Sequence, residues 1–127
     1  MKKTLADILP QALAEKRAIP AFNISSFETL QAVFQAAGEM NYPIIIETSS
    51  GEVEHMTPEL MVSMCETLGG KYDVDYVLHQ DRCGDFELME RLLKAGYTSI
   101  AAEFKGVTDY DEILQKSLKA RELTNKY

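Results

Sequence analysis

Between Tyr76 and Gly84 the apolar run Tyr-Val-Leu ends abruptly in His79, Gln80, Asp81, Arg82 and Cys83. Ionisable side chains at the carboxyl end of a buried strand are where a parallel α/β fold places its chemistry. Asp81 is a candidate acid–base residue, and the competing reading is a carboxylate paired with Arg82 or capping the helix that follows. His79 is a candidate metal ligand, although a single strand-end histidine without a second ligand at recognisable spacing reads better as a hydrogen-bonded structural residue. His55, with Glu52 or Glu54, could hold a divalent ion weakly, and a solvated charged loop explains the same residues more simply. Ser49, Ser50 and Gly51 offer hydroxyls and backbone N–H groups of the kind that bind phosphate, but turn formation uses the same residue types. Cys83 has the positive charge of Arg82 beside it, yet no neighbouring base completes a nucleophile. Met56, Met61 and Met64 read as core packing. No glycine-rich dinucleotide or Walker sequence is present, so nucleotide binding has no support.

The elements that must position these groups follow from periodicity. Leu5, Ile8, Leu9, Ala12 and Leu13 give a helical stripe over Thr4–Lys16, with Pro10 discordant. Ile19 to Ile24 reads as a short strand, and Ser25-Ser26 provides an N-cap for a helix over Phe27–Met40 that stops at Asn41-Tyr42-Pro43. The consecutive Ile44-Ile45-Ile46 lacks polar alternation, which predicts a strand covered on both faces, ending in a loop at Thr48–Gly51. Thr57 caps a helix with Pro58 in its first position and a stripe of Leu60, Met61, Met64 and Leu68, terminated at Gly69-Gly70. Asp75–Leu78 is the third strand. Gly84 or Asp85 caps a helix bearing Phe86, Leu88, Met89, Leu92 and Leu93 that ends at Gly96. Thr98–Phe104 forms a fourth strand, and Asp109 opens a last helix with Ile113, Leu114, Leu118 and Leu123. A helix followed by four strand–helix units implies an α/β protein with a parallel sheet and right-handed crossovers. Residues 1–127 form a single domain, with no linker or repeat inside it.

The net charge of −7 argues against a nucleic-acid or anionic-membrane surface, which would need clustered Lys and Arg. No apolar run approaches the ~20 residues of a membrane span, and the polar start at Met1-Lys2-Lys3 is unlike a secretion signal, so a cytoplasmic location is expected. Cys65 and Cys83 show no paired spacing and are expected to be thiols.

In order and spacing, four stretches resemble the N-terminal half of the class II fructose-bisphosphate and tagatose-bisphosphate aldolases. They are Ile19-Pro20-Ala21-Phe22-Asn23-Ile24, then Pro43 to Gly51, then Leu78-His79-Gln80-Asp81, and finally Leu93 to Ile100. The resemblance implies one half of a TIM (βα)8 barrel, a (βα)4 half-barrel, and an enzyme that reversibly cleaves a ketose bisphosphate to dihydroxyacetone phosphate and an aldehyde. It implies zinc as cofactor, polarising the carbonyl and stabilising the enediolate, with Asp81 as the proton shuttle and Asn23 and Ser49 as substrate-binding residues. The family's motif at the third strand is His-x-Asp-His, with the last histidine a zinc ligand. Here Arg82 stands in that position, and a guanidinium has no free lone pair for a metal. Glu103-Phe104-Lys105 also departs from the Asp-Gly-Ser type sequence common after the fourth strand. The remaining ligands and the phosphate loop belong to the second half of such a barrel, so this chain alone is expected to be inactive and not to bind zinc.

Two functions remain open: an aldolase-family enzyme or part of one, and a non-catalytic binding or regulatory subunit on the same scaffold. Half a barrel leaves two open sheet edges and an unfilled concave face. Ile24, Ile44, Ile46, Val77 and Ile100 are candidates for that face or for the side that packs on the helices. A homodimer, or a separate chain supplying the other half, is the expected cover, with a sugar phosphate as the expected small-molecule ligand.

Overall fold

The computed structural model describes residues 1–127. Its first helix, α1 (Leu5–Ala14), precedes β1 (Ala21–Asn23), α2 (Phe27–Met40) and β2 (Ile44–Thr48). A short helix α3 (Ser50–Met56) then runs into α4 (Pro58–Tyr72), followed by β3 (Tyr76–Cys83), α5 (Phe86–Ala95), β4 (Ser99–Ala102) and α6 (Tyr110–Thr124). The four strands are all parallel and lie in chain order, β1-β2-β3-β4. This is the parallel α/β sheet that the alternation predicts, in the half-barrel order that the resemblance implies.

Side chains alternate across a strand, so each strand divides its residues between two faces. Ile44, Ile46, Tyr76 and Leu78 join Leu30 and Phe34 of α2, Met61, Cys65 and Leu68 of α4, Met89 and Leu92 of α5 and Ala120 of α6 in one buried cluster. Burial of each large aliphatic side chain there contributes about 1.5–3 kcal/mol. Ile8, Ala12 and Val77 are buried outside that cluster, and the pairing Ile45↔Val77 places Val77 on the opposite, concave face. The five candidates thus separate: Ile24, Ile44 and Ile46 belong to the helix-packed core, Ile100 packs against it half-buried, and Val77 belongs to the other side.

Local chemistry explains where the elements start and stop. Ser26 accepts from the Thr29 N–H, Asp85 from Glu87 and Leu88, and Asp109 from Glu112, each satisfying orphan donors of a first turn. The expected loop after β2 is instead α3. Ser49 and Glu52 form a capping box there, and Val53 and Met56 turn inward, so Glu52, Glu54 and His55 are helical. The helix α4 does not stop at Gly69-Gly70 but runs two residues further, to a left-handed Asp73. The reason is packing: a Cβ on Gly69 would lie 2.7 Å from the Tyr76 ring, so this glycine serves close approach. The helical stripes are also rotated from their expected settings. Leu60 and Leu13 are 51% and 80% exposed, and Val62 and Cys65 take the inward positions on α4. Finally, β3 continues beyond Leu78 to Cys83, while β4 is shorter than Thr98–Phe104. No helix is long and apolar enough to cross a membrane.

Candidate functional site

Strand register assembles one row from four strands. Asn23 pairs with Glu47, Glu47 with His79, and His79 with Ser99. In the neighbouring row Ile46 and Leu78 belong to the helix-packed core, so Asn23, Glu47, His79 and Ser99 share the concave face near the carboxyl ends of the strands. His79 Nδ1 and Ser99 Oγ share a hydrogen bond of 2.7 Å. Burial pushes the His79 imidazole below its ordinary pKa, and outweighs the opposing pull of the Glu47 and Asp81 carboxylates. A neutral ring able to accept a proton therefore sits between a carboxylate and a hydroxyl. The sequence reading reached His79 and Asn23 but not Glu47 or Ser99, which join them only through the register between strands.

Asn23 and Ser49 come together through a third residue. Asn23 Nδ2 donates to Glu52 Oε1 at 3.0 Å, and the Ser49 N–H and hydroxyl both donate to Glu52 Oε2, the N–H at 2.6 Å. These bonds, the Ser49 hydroxyl foremost, hold the Glu52 carboxyl below the usual carboxylate range. Ser49, the first residue of the Ser49-Ser50-Gly51 run, thus already binds an anion belonging to the chain, because Glu52 caps α3 from within. Asn23 and Ser49 both donate to the Glu52 carboxylate, which brings the two residues to one place.

At the end of β3, Arg82 Nε donates to Asp81 Oδ2 at 3.0 Å. The register with β4 shifts between Gln80 and Cys83, and Arg82 takes a left-handed backbone with φ of +50°, the signature of a bulge. That shift turns the Arg82 side chain outward, 68% exposed, while Cys83 is buried. Burial raises the Cys83 thiol, outweighing its hydrogen bond to the Asp85 carbonyl; Cys65, also free, is pushed up to about 12 by its burial.

Behind the row, a buried network fixes the strand ends. The Thr48 hydroxyl donates to Gln80 Oε1 at 2.9 Å and lies 3.0 Å from the Tyr97 hydroxyl, and Gln80 Nε2 donates to the Asp81 carbonyl at 3.2 Å. Each polar atom has a partner, so the network aligns β2, β3 and the approach to β4 without an orphaned group. Nowhere in this chain do three His, Cys, Asp or Glu side chains stand close enough to share an ion.

Four strand–helix units in chain order, with polar side chains gathered at the carboxyl ends of the strands, define one half of a (βα)8-barrel protein. The chain belongs to the class II fructose-bisphosphate aldolase family, whose model, described as Fructose-bisphosphate aldolase class-II, matches residues 3–125. Fructose-bisphosphate aldolase of Helicobacter pylori strain 26695 is 38% identical over 95 residues, which are 74% of this chain and 31% of that protein. Its counterpart in strain J99 is 36% identical over the same coverage. Among solved structures, the YdjI aldolase of Escherichia coli K12 superposes with a TM-score of 0.86 at 23% identity, over 99% of this chain and 49% of that one. The chain therefore spans about a third of the length of these curated relatives and about half of the barrel it superposes on.

Proposed function

We propose that this chain carries the first four strand–helix units of a class II aldolase barrel and that, by itself, it does not cleave ketose bisphosphates. The family reaction gives dihydroxyacetone phosphate and an aldehyde, and the resemblance assigns Asp81 the proton transfer. One observation carries the reading: the Asp81 carboxylate is ion-paired at 3.0 Å with Arg82, the residue that the resemblance sets at the position of the family's metal-binding histidine. The donor set for zinc is missing from these residues, and the two substrate-binding candidates, Asn23 and Ser49, are bonded to Glu52. In this reading a sugar phosphate is the ligand class and the setting is cytoplasmic, in keeping with two free thiols.

The test is a coupled assay for dihydroxyacetone phosphate release from fructose and tagatose 1,6-bisphosphate, with zinc added. No turnover is expected from the chain or from Arg82→His, since one restored ligand cannot hold an ion. Zinc-dependent turnover by the unmodified chain, abolished by Asp81→Asn, overturns the proposal. The second reading, a non-catalytic binding or regulatory subunit, is favoured by a separate observation: β1 and β4 each leave one edge of the sheet unpaired, ready for another polypeptide.

A further inference from the structure

Beyond the polar row, the ends of β3 and β4 and the start of α6 enclose a cleft of about 320 Å³ lined by Arg82, Gly84, Glu103, Phe104, Lys105 and Lys116, with Val107. Three of these side chains are cationic, and they come from three different segments: the β3 bulge, the loop after β4, and α6. The cleft exists because Gly84 lets two backbones meet. A Cβ there would lie 2.5 Å from the Glu103 carbonyl oxygen, while the Glu103 N–H donates to Cys83 at 3.0 Å. Phe104 packs 5.8 Å from Phe86, and Lys116 and Lys119 stand over these two rings at 5.7 and 4.2 Å. The aromatic pair thus holds two α6 ammonium groups at this end of the sheet.

The opposing charges are Glu103 in the lining, Asp81 on Arg82, and Glu112, which pairs with Lys116 at 2.8 Å. Asp81 occupies only Nε of Arg82, and a guanidinium carries five N–H donors. Its two terminal nitrogens remain for a second, bidentate partner, with the plane already oriented by Asp81. Three cations in one lining, with Lys119 beside them on α6, stand out in a chain whose net charge is −7.

We propose that this cleft is an anion site that takes a phosphate group, with Arg82 as the bidentate anchor and Lys105 as the second cation. The guanidinium fork matches two phosphate oxygens, and the two charges come from independent segments, which sets the geometry. Where the family resemblance implies a metal ion, this chain presents a permanent cation of its own. The proposal does not depend on aldol turnover and is tested without it.

Inorganic phosphate is titrated into the full chain at constant ionic strength and followed by backbone amide NMR shifts. Saturable shifts are expected at Gly84, Lys105 and Glu103. Arg82→Asn removes the charge with a residue that tolerates the left-handed backbone, and Lys105→Gln alters an exposed loop side chain. Each is expected to weaken phosphate binding at least tenfold. Unchanged affinity in both variants, or shifts that chloride reproduces at matched ionic strength, overturns the proposal. If Arg82→Asn does not fold, Lys105→Gln alone decides: weakened binding supports the site and unchanged affinity refutes it.

Discussion

The His79 imidazole and the Ser99 hydroxyl meet at 2.7 Å between adjacent strands, in a row that also contains Glu47. Burial lowers the His79 pKa in the folded chain. The unfolded chain, with a histidine near pKa 6.5, therefore binds its proton first as pH falls. The contribution of this group to stability is complete above about pH 6.5 and is lost as pH drops from there toward the depressed folded value. Urea midpoints measured between pH 8 and pH 5 should fall on the acid side, and His79→Gln should flatten that part of the profile. A midpoint that rises on acidification through this range contradicts the burial account.

Glycine positions separate helix propensity from packing. In α4, nothing lies within 4 Å of a Cβ built on Gly70, so Gly70→Ala should stabilise the chain by about 0.5–1 kcal/mol through backbone entropy. In α2, a Cβ on Gly38 would stand 2.8 Å from the Tyr72 carbonyl oxygen, so Gly38→Ala should destabilise despite the same propensity gain. Equilibrium urea unfolding of the two variants checks both signs. Two shifts of the same sign would show that α2 and α4 can slide apart.

Much of this architecture is legible in the sequence because local signals and tertiary packing agree. The Ile44-Ile45-Ile46 run, the Ser26, Asp85 and Asp109 caps and the stop at Gly96 each act over a few residues and reappear in the structure. Gly69-Gly70 misleads because a glycine serves two purposes. Turn formation and close approach leave the same letter, and only the Tyr76 ring distinguishes them. The helix α3 is hidden for a related reason, since Ser49 and Glu52 read as a polar loop until Val53 and Met56 are seen to be buried. At the site, Asp81 pairing with Arg82 is accessible from adjacency in sequence. The Asn23–Glu52 bond spans 29 positions and the Glu47, His79 and Ser99 row depends on register, which no single segment encodes.

Tyr76 is fully buried, edge-on to Phe34 with ring centroids 5.3 Å apart, and its hydroxyl has no hydrogen-bond partner. An unsatisfied buried hydroxyl costs about 1–3 kcal/mol of desolvation. Tyr76→Phe keeps the aromatic contact and removes that oxygen, so it should stabilise the chain by about 1 kcal/mol in urea unfolding. Clear destabilisation would mean that the hydroxyl is satisfied after all.

Assembly is the prediction that the sheet itself motivates. The outer edges of β1 and β4 are unpaired, and all three residues of β1 are exposed. The Ile24 N–H donates to Glu47 and Pro20 accepts from Ile45, so even-numbered residues of this segment face β2. Alternation then turns the Ala21 and Asn23 backbone groups to the open edge. We propose that a second copy of the chain, or a separate polypeptide, pairs there and covers the concave face. Light scattering at micromolar concentration should report a dimer or larger species of the purified chain. Ala21→Pro deletes one outward N–H without removing a bond to β2, and should shift the population toward monomer with the fold intact. A charge at Ile46 is uninformative for this purpose, because that side chain lies in the helix-packed core and its loss would unfold the chain. A charge at Ile45, half-buried on the concave face beside Val77, tests the same surface directly. A cooperative, well-folded monomer at that concentration, unchanged by Ala21→Pro or Ile45→Glu, would rule out self-pairing and leave a separate polypeptide as the only cover for the edge.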